Sequence, residues 1–413
     1  MSNGTSVRGP NGAILIIGAT AIAGIAGYVV TWLVYRTAGP ISYAAFAVFW
    51  SAQFLVVGTL SGVQQEITRA TRLIEKGARS VATKARRFGL LAGLLVALVI
   101  VGTAPLWQHQ VFPDEGWALV LPLAVGAGSY ALVATLCGSL YGAAQWRSLA
   151  LMLVVDGLLR LAIIFVALLA GLGIVALAWA VALPFGLAIV LLWPAMRAGL
   201  VGRTDLDVGY RALSWNVART VGASLSTAVL VSGFPLLLGI SAGDVSATVL
   251  GELIFTITLA RAPLIVTVMS LQSLLLVRFR DHASSASRML LLLVGAIMGT
   301  AVILSVLAWW IGPPVLEWVT GHPTHIDGSL IGVIVLSSGV VACLSVSGAA
   351  VLAVGKHVVY LLGWAVAAAV TIAVMALPID FLTRVAVVLL AAPAIGLALH
   401  AAWLLNRSIR RAG

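Results

Sequence analysis

The sequence predicts an all-α integral membrane protein. About twelve transmembrane helices fall into two six-helix lobes, with both termini in the cytoplasm. Three observations lead there. Hydrophobic residues fill 62% of the 413 positions and charged residues only 9%, and the mean hydropathy is +1.12. A soluble fold could not hide that much apolar surface. The apolar residues also run in segments of roughly 20 or more, the length a helix needs to cross about 30 Å of hydrocarbon. Finally, basic residues gather in alternate connections, the bias that orients membrane helices.

Spans are expected near 12–35, 41–67, 87–108, 117–141, 149–170, 172–196, 212–239, 245–270, 288–312, 328–354, 358–377 and 379–405. The turn at Leu377-Pro378-Ile379-Asp380 is the least marked of the boundaries. The connections are short, so no soluble domain fits between spans. The opening MSNGTSVRGPNG is polar and the first span exceeds a signal-peptide h-region, so no cleaved signal is expected. Within span 1, Thr20, Gly24, Gly27, Thr31 and Tyr35 form a small and polar stripe at helical spacing. Such a stripe suits close helix packing or a cavity wall.

The connection after span 2 carries Arg69, Arg72, Lys76, Arg79, Lys84, Arg86 and Arg87. Later basic turns hold Arg147, then Arg197, Arg203 and Arg211, then Arg278, Arg280 and Arg288, then Lys356. Arg8 lies near the N-terminus, and Arg407, Arg410 and Arg411 near the C-terminus. The intervening connections hold Asp114 and Glu115, Asp244, and Glu317 with Asp327. This places both termini inside and requires an even number of spans. The same distribution accounts for the net charge of +11, so nucleic acid is not an expected partner. Tryptophans such as Trp107, Trp117, Trp193 and Trp318 read as interfacial anchors, and the basic stretch 69–87 suits anionic lipid headgroups. Cys137 and Cys343 both fall inside spans and read as small packing residues, not as a disulfide framework.

The polar stretch RAGLVGRTDLDVGYR (197–211) divides the chain into residues 1–200 with spans 1–6 and residues 201–413 with spans 7–12. Six is even, so both halves enter the membrane from the same side, as in a parallel repeat about the membrane normal. The end of span 4, Leu140-Tyr141-Gly142-Ala143-Ala144-Gln145-Trp146, is faintly similar to the end of span 10, Val351-Leu352-Ala353-Val354-Gly355-Lys356-His357.

Five arginines remain outside the basic connections: Arg36, Arg160, Arg219, Arg261 and Arg384. A cation within hydrocarbon needs a watery cavity or a partner, and the planar guanidinium fork binds phosphate through two hydrogen bonds. Arg36, Arg160, Arg219 and Arg261 are therefore candidate anion-binding residues. Asp156 lies one turn before Arg160 on the same face, as a structural pair or a gate. Asn216 and Thr220 accompany Arg219 in a polar stripe that reads as cavity lining, and Gln53 is a further cavity candidate in span 2. Glu252 is the candidate coupling-ion site, since a carboxylate removed from water holds its proton more tightly. Glu252 and Arg261 lie nine residues apart and point to nearly opposite helix faces. Glu66 reads as a solvated helix end. His322, His325 and Asp327 lack the supporting cluster a metal needs, and His400 reads as a packed histidine. No P-loop is present.

Arg36-Thr37-Ala38-Gly39-Pro40-Ile41-Ser42-Tyr43-Ala44-Ala45-Phe46 resembles the first turn of Wzx-type polysaccharide flippases. Gly62-Val63-Gln64-Gln65-Glu66-Ile67-Thr68-Arg69 is similar to their ending of span 2. The stretch from Gly138 to Trp146 and Ala260-Arg261-Ala262-Pro263 look similar as well. The resemblance covers the six-plus-six layout and points to the multidrug/oligosaccharidyl-lipid/polysaccharide (MOP) exporter superfamily, which includes the MATE drug antiporters and the lipid II flippases. The chain lacks the two extra spans of some lipid II flippases, which argues against lipid II as cargo.

The resemblance implies two lobes that alternate access to a central cavity. It further implies a flippase carrying a polyprenyl-pyrophosphate-linked oligosaccharide to the outer leaflet, with the pyrophosphate on Arg36, Arg160, Arg219 and Arg261. The expected location is the bacterial plasma membrane and the expected state a monomer. No cofactor is expected beyond coupling to a proton or sodium gradient. The partners would be membrane lipids and a polysaccharide polymerase or glycosyltransferase. A MATE-like drug/cation antiporter is the alternative, disfavoured by the shortage of acidic residues in the N-lobe. A polytopic glycan-modifying enzyme is a third reading, disfavoured by short outer loops.

Overall fold

The computed structural model describes residues 10–73, 83–201, 204–243, 245–281 and 286–412. Of the charges read above, Arg8, Lys76, Arg79, Arg203 and Asp244 lie outside the described residues, as do the side chains of Arg72, Lys84, Arg280, Arg407, Arg410 and Arg411. The elements run α1 (Pro10–Ala70), β1 (Thr71–Leu73), α2 (Thr83–Val111), α3 (Trp117–Gly142), α4 (Trp146–Leu169), α5 (Ile174–Leu200), β2 (Thr204–Leu206), α6 (Tyr210–Val231) and α7 (Phe234–Ser241). They continue with α8 (Ala247–Asp281), α9 (Ala286–Thr320), α10 (Gly328–Ala353), α11 (His357–Met375) and α12 (Phe381–Ala412).

Among the described residues, nine of these helices are long and apolar enough to cross a membrane, and α6 with α7, bent by 65° at the break between them, passes the same test as a pair. The 61 residues of α1 contain two of the expected spans, parted where Gly39 takes φ 77 and ψ 170 before Pro40. Only glycine enters that region without strain, and the proline removes a helical N–H. Each limb is about 45 Å long at 1.5 Å per residue, ample for one crossing. The 35 residues of α8 are long enough for a further crossing. Span 7 was expected unbroken; Ser232-Gly233 interrupts it, and Pro235 sits in the first turn of α7, where its missing N–H costs nothing. The other departure from an all-helical chain is the antiparallel pair β1 and β2, in register Thr71↔Leu206, Arg72↔Asp205 and Leu73↔Thr204.

The chain forms two compact units. The first contains residues up to Thr37 and Ala45–Ala228; the second contains Ala38–Ala44 and everything from Val229 onward. The division therefore falls at 228/229 and not at the expected 200/201. The physical reason is that α6 is bonded to the second limb of α1. Thr220 donates to the Gly62 carbonyl at 2.8 Å, and Leu213 and Val217 share a core with Leu60, Val63 and Ile67. Residues 38–44 belong to the second unit because Tyr43 packs edge-on against Phe255 at 5.5 Å.

Each unit is built around one interior helix. In the first it is α3, in the second α10; 67% of the apolar stretch of each is buried, against 11% to 44% in the other spanning helices. Both are the fourth span of their half, as a parallel repeat requires. Small residues let the neighbours approach: a Cβ on Gly93 of α2 would stand 2.6 Å from the Gly128 carbonyl of α3.

The faint motif match at the ends of α3 and α10 is also a match of backbone. Ala144 (φ 53) and Gly355 (φ 75), which align, are both left-handed. Gln145 then donates to Leu140 O at 2.8 Å, and Lys356 to Val351 O at 3.3 Å. These bonds close the helix ends in the same way.

Candidate functional site

In the first unit, Asp156 and Arg160 on α4 form the ion pair their spacing predicts. Arg160 Nη2 donates to both carboxylate oxygens at 2.8 and 2.9 Å, and Nε donates to the Val181 carbonyl at 3.2 Å. The guanidinium lies 5.4 Å from the Phe54 ring and 4.6 Å from the Phe185 ring, a cation–π sandwich. Its side chain is only 8% exposed. Arg160 is thus held on every side by its own unit.

Gln53, expected to line a cavity, is instead wholly buried, and neither its Oε1 nor its Nε2 has a hydrogen-bond partner. Its Oε1 occupies the space a Cβ on Gly126 would need. Asn216 and Thr220 were also read as cavity lining. They are the clamp between α6 and the second limb of α1, with Asn216 Nδ2 donating to Glu66 Oε1 at 2.9 Å. Glu66, expected in solvent, is 4% exposed and also receives Arg69 at 2.6 Å. A bidentate arginine and an amide satisfy its buried carboxylate. Arg219, on the same helix, is exposed and makes no hydrogen bond or ion pair among the described residues. Arg36 is exposed beside the Trp32 ring at 5.9 Å. In the span 1 stripe, Thr31 and Tyr35 are buried, whereas Gly24 is exposed with open space where a Cβ would stand.

In the second unit, Glu252 of α8 is 2% exposed. Its carboxylate accepts the His325 backbone N–H at 2.7 Å and lies 2.8 Å from His325 Nδ1. His325 sits in the loop between α9 and α10 with its side chain 62% exposed. The hydrogen bond and the charge of Glu252 raise the His325 imidazole above its ordinary range. No group of three or more metal-binding side chains occurs among the described residues.

Arg261, also on α8, is partly exposed, but its Nε is sealed and has no partner. It stands 5.1 Å from the Phe234 ring and lines a cavity of about 30 Å³ with Trp364, Thr371 and Pro393. Arg384 donates to the carbonyls of Met375 at 2.8 Å and Ser241 at 3.2 Å, so it ties helix ends together. His400 is fully buried, 3.0 Å from Ser347 Oγ and 3.2 Å from the Tyr360 carbonyl, packed as expected. Sequence reasoning missed His325 as the partner of Glu252, and Trp364. One sits in a loop 73 residues away; the other looked like one more apolar aromatic.

The fold matches known transporters over almost its whole length. A multidrug-resistance MATE family transporter of the MOP superfamily aligns with TM-score 0.73 in its inward-facing conformation, at 14% identity over 96% of this chain and 95% of that one. An outward-facing MATE conformation gives 0.61 at 15% identity over 98% and 97%. A MOP superfamily transporter from Pyrococcus furiosus, described as having a binding pocket of reversed polarity that suggests a different function, gives 0.61 at 14% identity over 96% and 95%. The chain therefore has the MATE-like fold. In sequence it is 31% identical over 400 residues to the Mycobacterium tuberculosis protein described as Uncharacterized protein Rv1510, covering 96% of this chain and 92% of that protein. It is 29% identical over 394 residues to Rv3630 of the same organism, covering 94% and 91%. No protein-family model matches the chain.

Proposed function

Since the chain belongs to the same family as Rv1510 of Mycobacterium tuberculosis and has the MATE-like fold, we propose that it is a multi-pass transporter of a bacterial plasma membrane working by alternating access. Its cargo is a polyprenyl-pyrophosphate-linked oligosaccharide, moved from the inner to the outer leaflet. The observation that carries this reading is the state of the charges. The N-lobe's one acid deep in a span, Asp156, is locked to Arg160. Arg219 and Arg261 make no ion pair among the described residues. Unpaired cations inside spans suit an anionic cargo. Arg219 and the accessible end of Arg261 are the pyrophosphate contacts, and Arg36 meets the cargo at the outer end of span 1. Arg160 supports the cavity wall through Asp156. The chain performs no chemistry on the glycan, and a polymerase or glycosyltransferase acts on what it delivers.

The likeness to a multidrug-resistance MATE transporter favours a second reading, a drug/cation antiporter, in which Glu252 with His325 would serve as the proton or sodium site. Proteoliposomes decide between them. With a fluorescent lipid-linked oligosaccharide, wild type exposes the glycan to an impermeant lectin. Arg219→Ala and Arg261→Ala each lose that exposure at unchanged protein levels. Full flipping in both variants, or drug-driven proton or sodium exchange in place of flipping, would reverse the assignment.

A further inference from the structure

We propose that the second unit contains a binding site for a small monovalent anion of halide size, held between the Nε–H of Arg261 and the Nε1–H of Trp364. Both donors are buried without a partner, and their residues line one cavity among α6, α7, α8, α10, α11 and α12. Buried N–H groups are nearly always satisfied, so two orphans on residues that line one cavity ask for an acceptor there. Trp364 is 2% exposed, and a Cβ on Gly348 would stand 3.5 Å from its Nε1. The remaining polar group of the wall, Thr371, has given its hydroxyl hydrogen to the Ala367 carbonyl at 2.9 Å. Among the described residues no acceptor side chain is thus offered from within.

The charge selects the class of ligand. A water would take both hydrogen bonds but leave the guanidinium uncompensated. No carboxylate lines the cavity among the described residues, and in the same unit Glu252 is committed to His325 and Asp380 to Thr383 at 3.0 Å. The walls Leu230, Val341, Leu344 and Val388 are apolar, so a charge opposite Arg261 acts at low dielectric. Apolar walls favour an anion that sheds water easily. The volume selects the size. About 30 Å³ exceeds the roughly 10–15 Å³ that one water-sized sphere needs, yet cannot take a phosphoryl group with its oxygens. The pyrophosphate of the proposed cargo does not fit here and would meet the other, accessible side of Arg261. The anion site is independent of what is transported, because it is read on purified protein without cargo.

Two measurements test it on the full chain. In detergent, chloride or bromide should raise the melting temperature saturably over sodium gluconate at equal ionic strength. Trp364→Phe, which keeps the ring and deletes the donor, should shift that response at least tenfold to higher anion concentration. Equal melting in chloride and gluconate, or an unchanged response in Trp364→Phe, would overturn the site. Bromide-soaked crystals of the unaltered protein should show an anomalous peak at Arg261 Nε and Trp364 Nε1. A water there, or bromide only elsewhere, would also overturn it.

Discussion

His325 closes over the carboxylate of Glu252, joining an exposed loop to a side chain that is 2% exposed inside α8. The contact predicts a pH-dependent latch within the second unit. Glu252 raises the imidazole of His325 above its ordinary value of 6.5. A raised value in the folded state means that stability is fully present below about 6.5 and is lost as pH rises through the folded value. His325→Ala should therefore lower the melting temperature most below about pH 6.5, with the difference from wild type shrinking on the alkaline side. The His325 backbone N–H still reaches Glu252 in this variant, so the test isolates the ring. A difference that stays constant with pH would refute the latch.

Asp156 and Arg160 make the second prediction. Removing one member of a buried pair strands the other charge, at a typical cost of about 3–5 kcal/mol. Asp156→Ala should therefore destabilise strongly. Replacing both, as Asp156→Leu with Arg160→Met, should recover most of that loss, because apolar residues of similar volume avoid the desolvation of two ions. Thermal unfolding of the two singles and the double closes the cycle. A double variant as unstable as the singles would show that the pair fixes the packing of α4 on α5 through more than its charge.

Much of the fold was legible because bilayers impose a single rule on the chain. Runs of apolar length, basic turns and the Gly39-Pro40 break mark the crossings without any knowledge of packing. The Asp156–Arg160 pair was legible for a local reason, since one helical turn places both on one face. The bonds from Asn216 to Glu66 and from His325 to Glu252 cross 150 and 73 residues. Periodicity tells which face of a helix is polar, but not which helix will meet it. For that reason Asn216 and Thr220 looked like cavity lining when they are a clamp. Likewise the division at 228/229 depends on contacts of α6 that no boundary signal announces.

The paired helix ends give a third prediction with opposite signs at equivalent positions. Ala144 and Gly355 both take left-handed backbone, at φ 53 and φ 75. That conformation costs a residue with a Cβ about 1–2 kcal/mol. Ala144→Gly should stabilise the protein by up to about 1 kcal/mol, offset in part by the greater freedom of glycine in the unfolded chain. Gly355→Ala should destabilise it by about 1 kcal/mol. A Cβ at Gly355 meets nothing within 4 Å, so backbone strain is the sole cause there. Equal melting temperatures for wild type and both variants would mean the turns relax freely.

Gly363 and His400 make the last prediction, because one exists to make room for the other. A Cβ on Gly363 of α11 would stand inside the His400 ring of α12. The ring is wholly buried and held at 3.0 Å from Ser347 Oγ and 3.2 Å from the Tyr360 carbonyl. It has no open side to move to. Gly363→Ala should thus cost about 1–3 kcal/mol through overpacking, against a gain of about 1 kcal/mol in helix propensity. His400→Ala alone should also destabilise, by leaving a cavity; Ser347 keeps its bond to the Leu344 carbonyl at 2.8 Å. In the double variant the new methyl enters the space the ring vacates. Its cost should fall short of the sum of the singles by about 0.5–3 kcal/mol. Strict additivity in that cycle would mean the two helices slide apart when crowded, and that the polar contacts of His400 do not hold them in register.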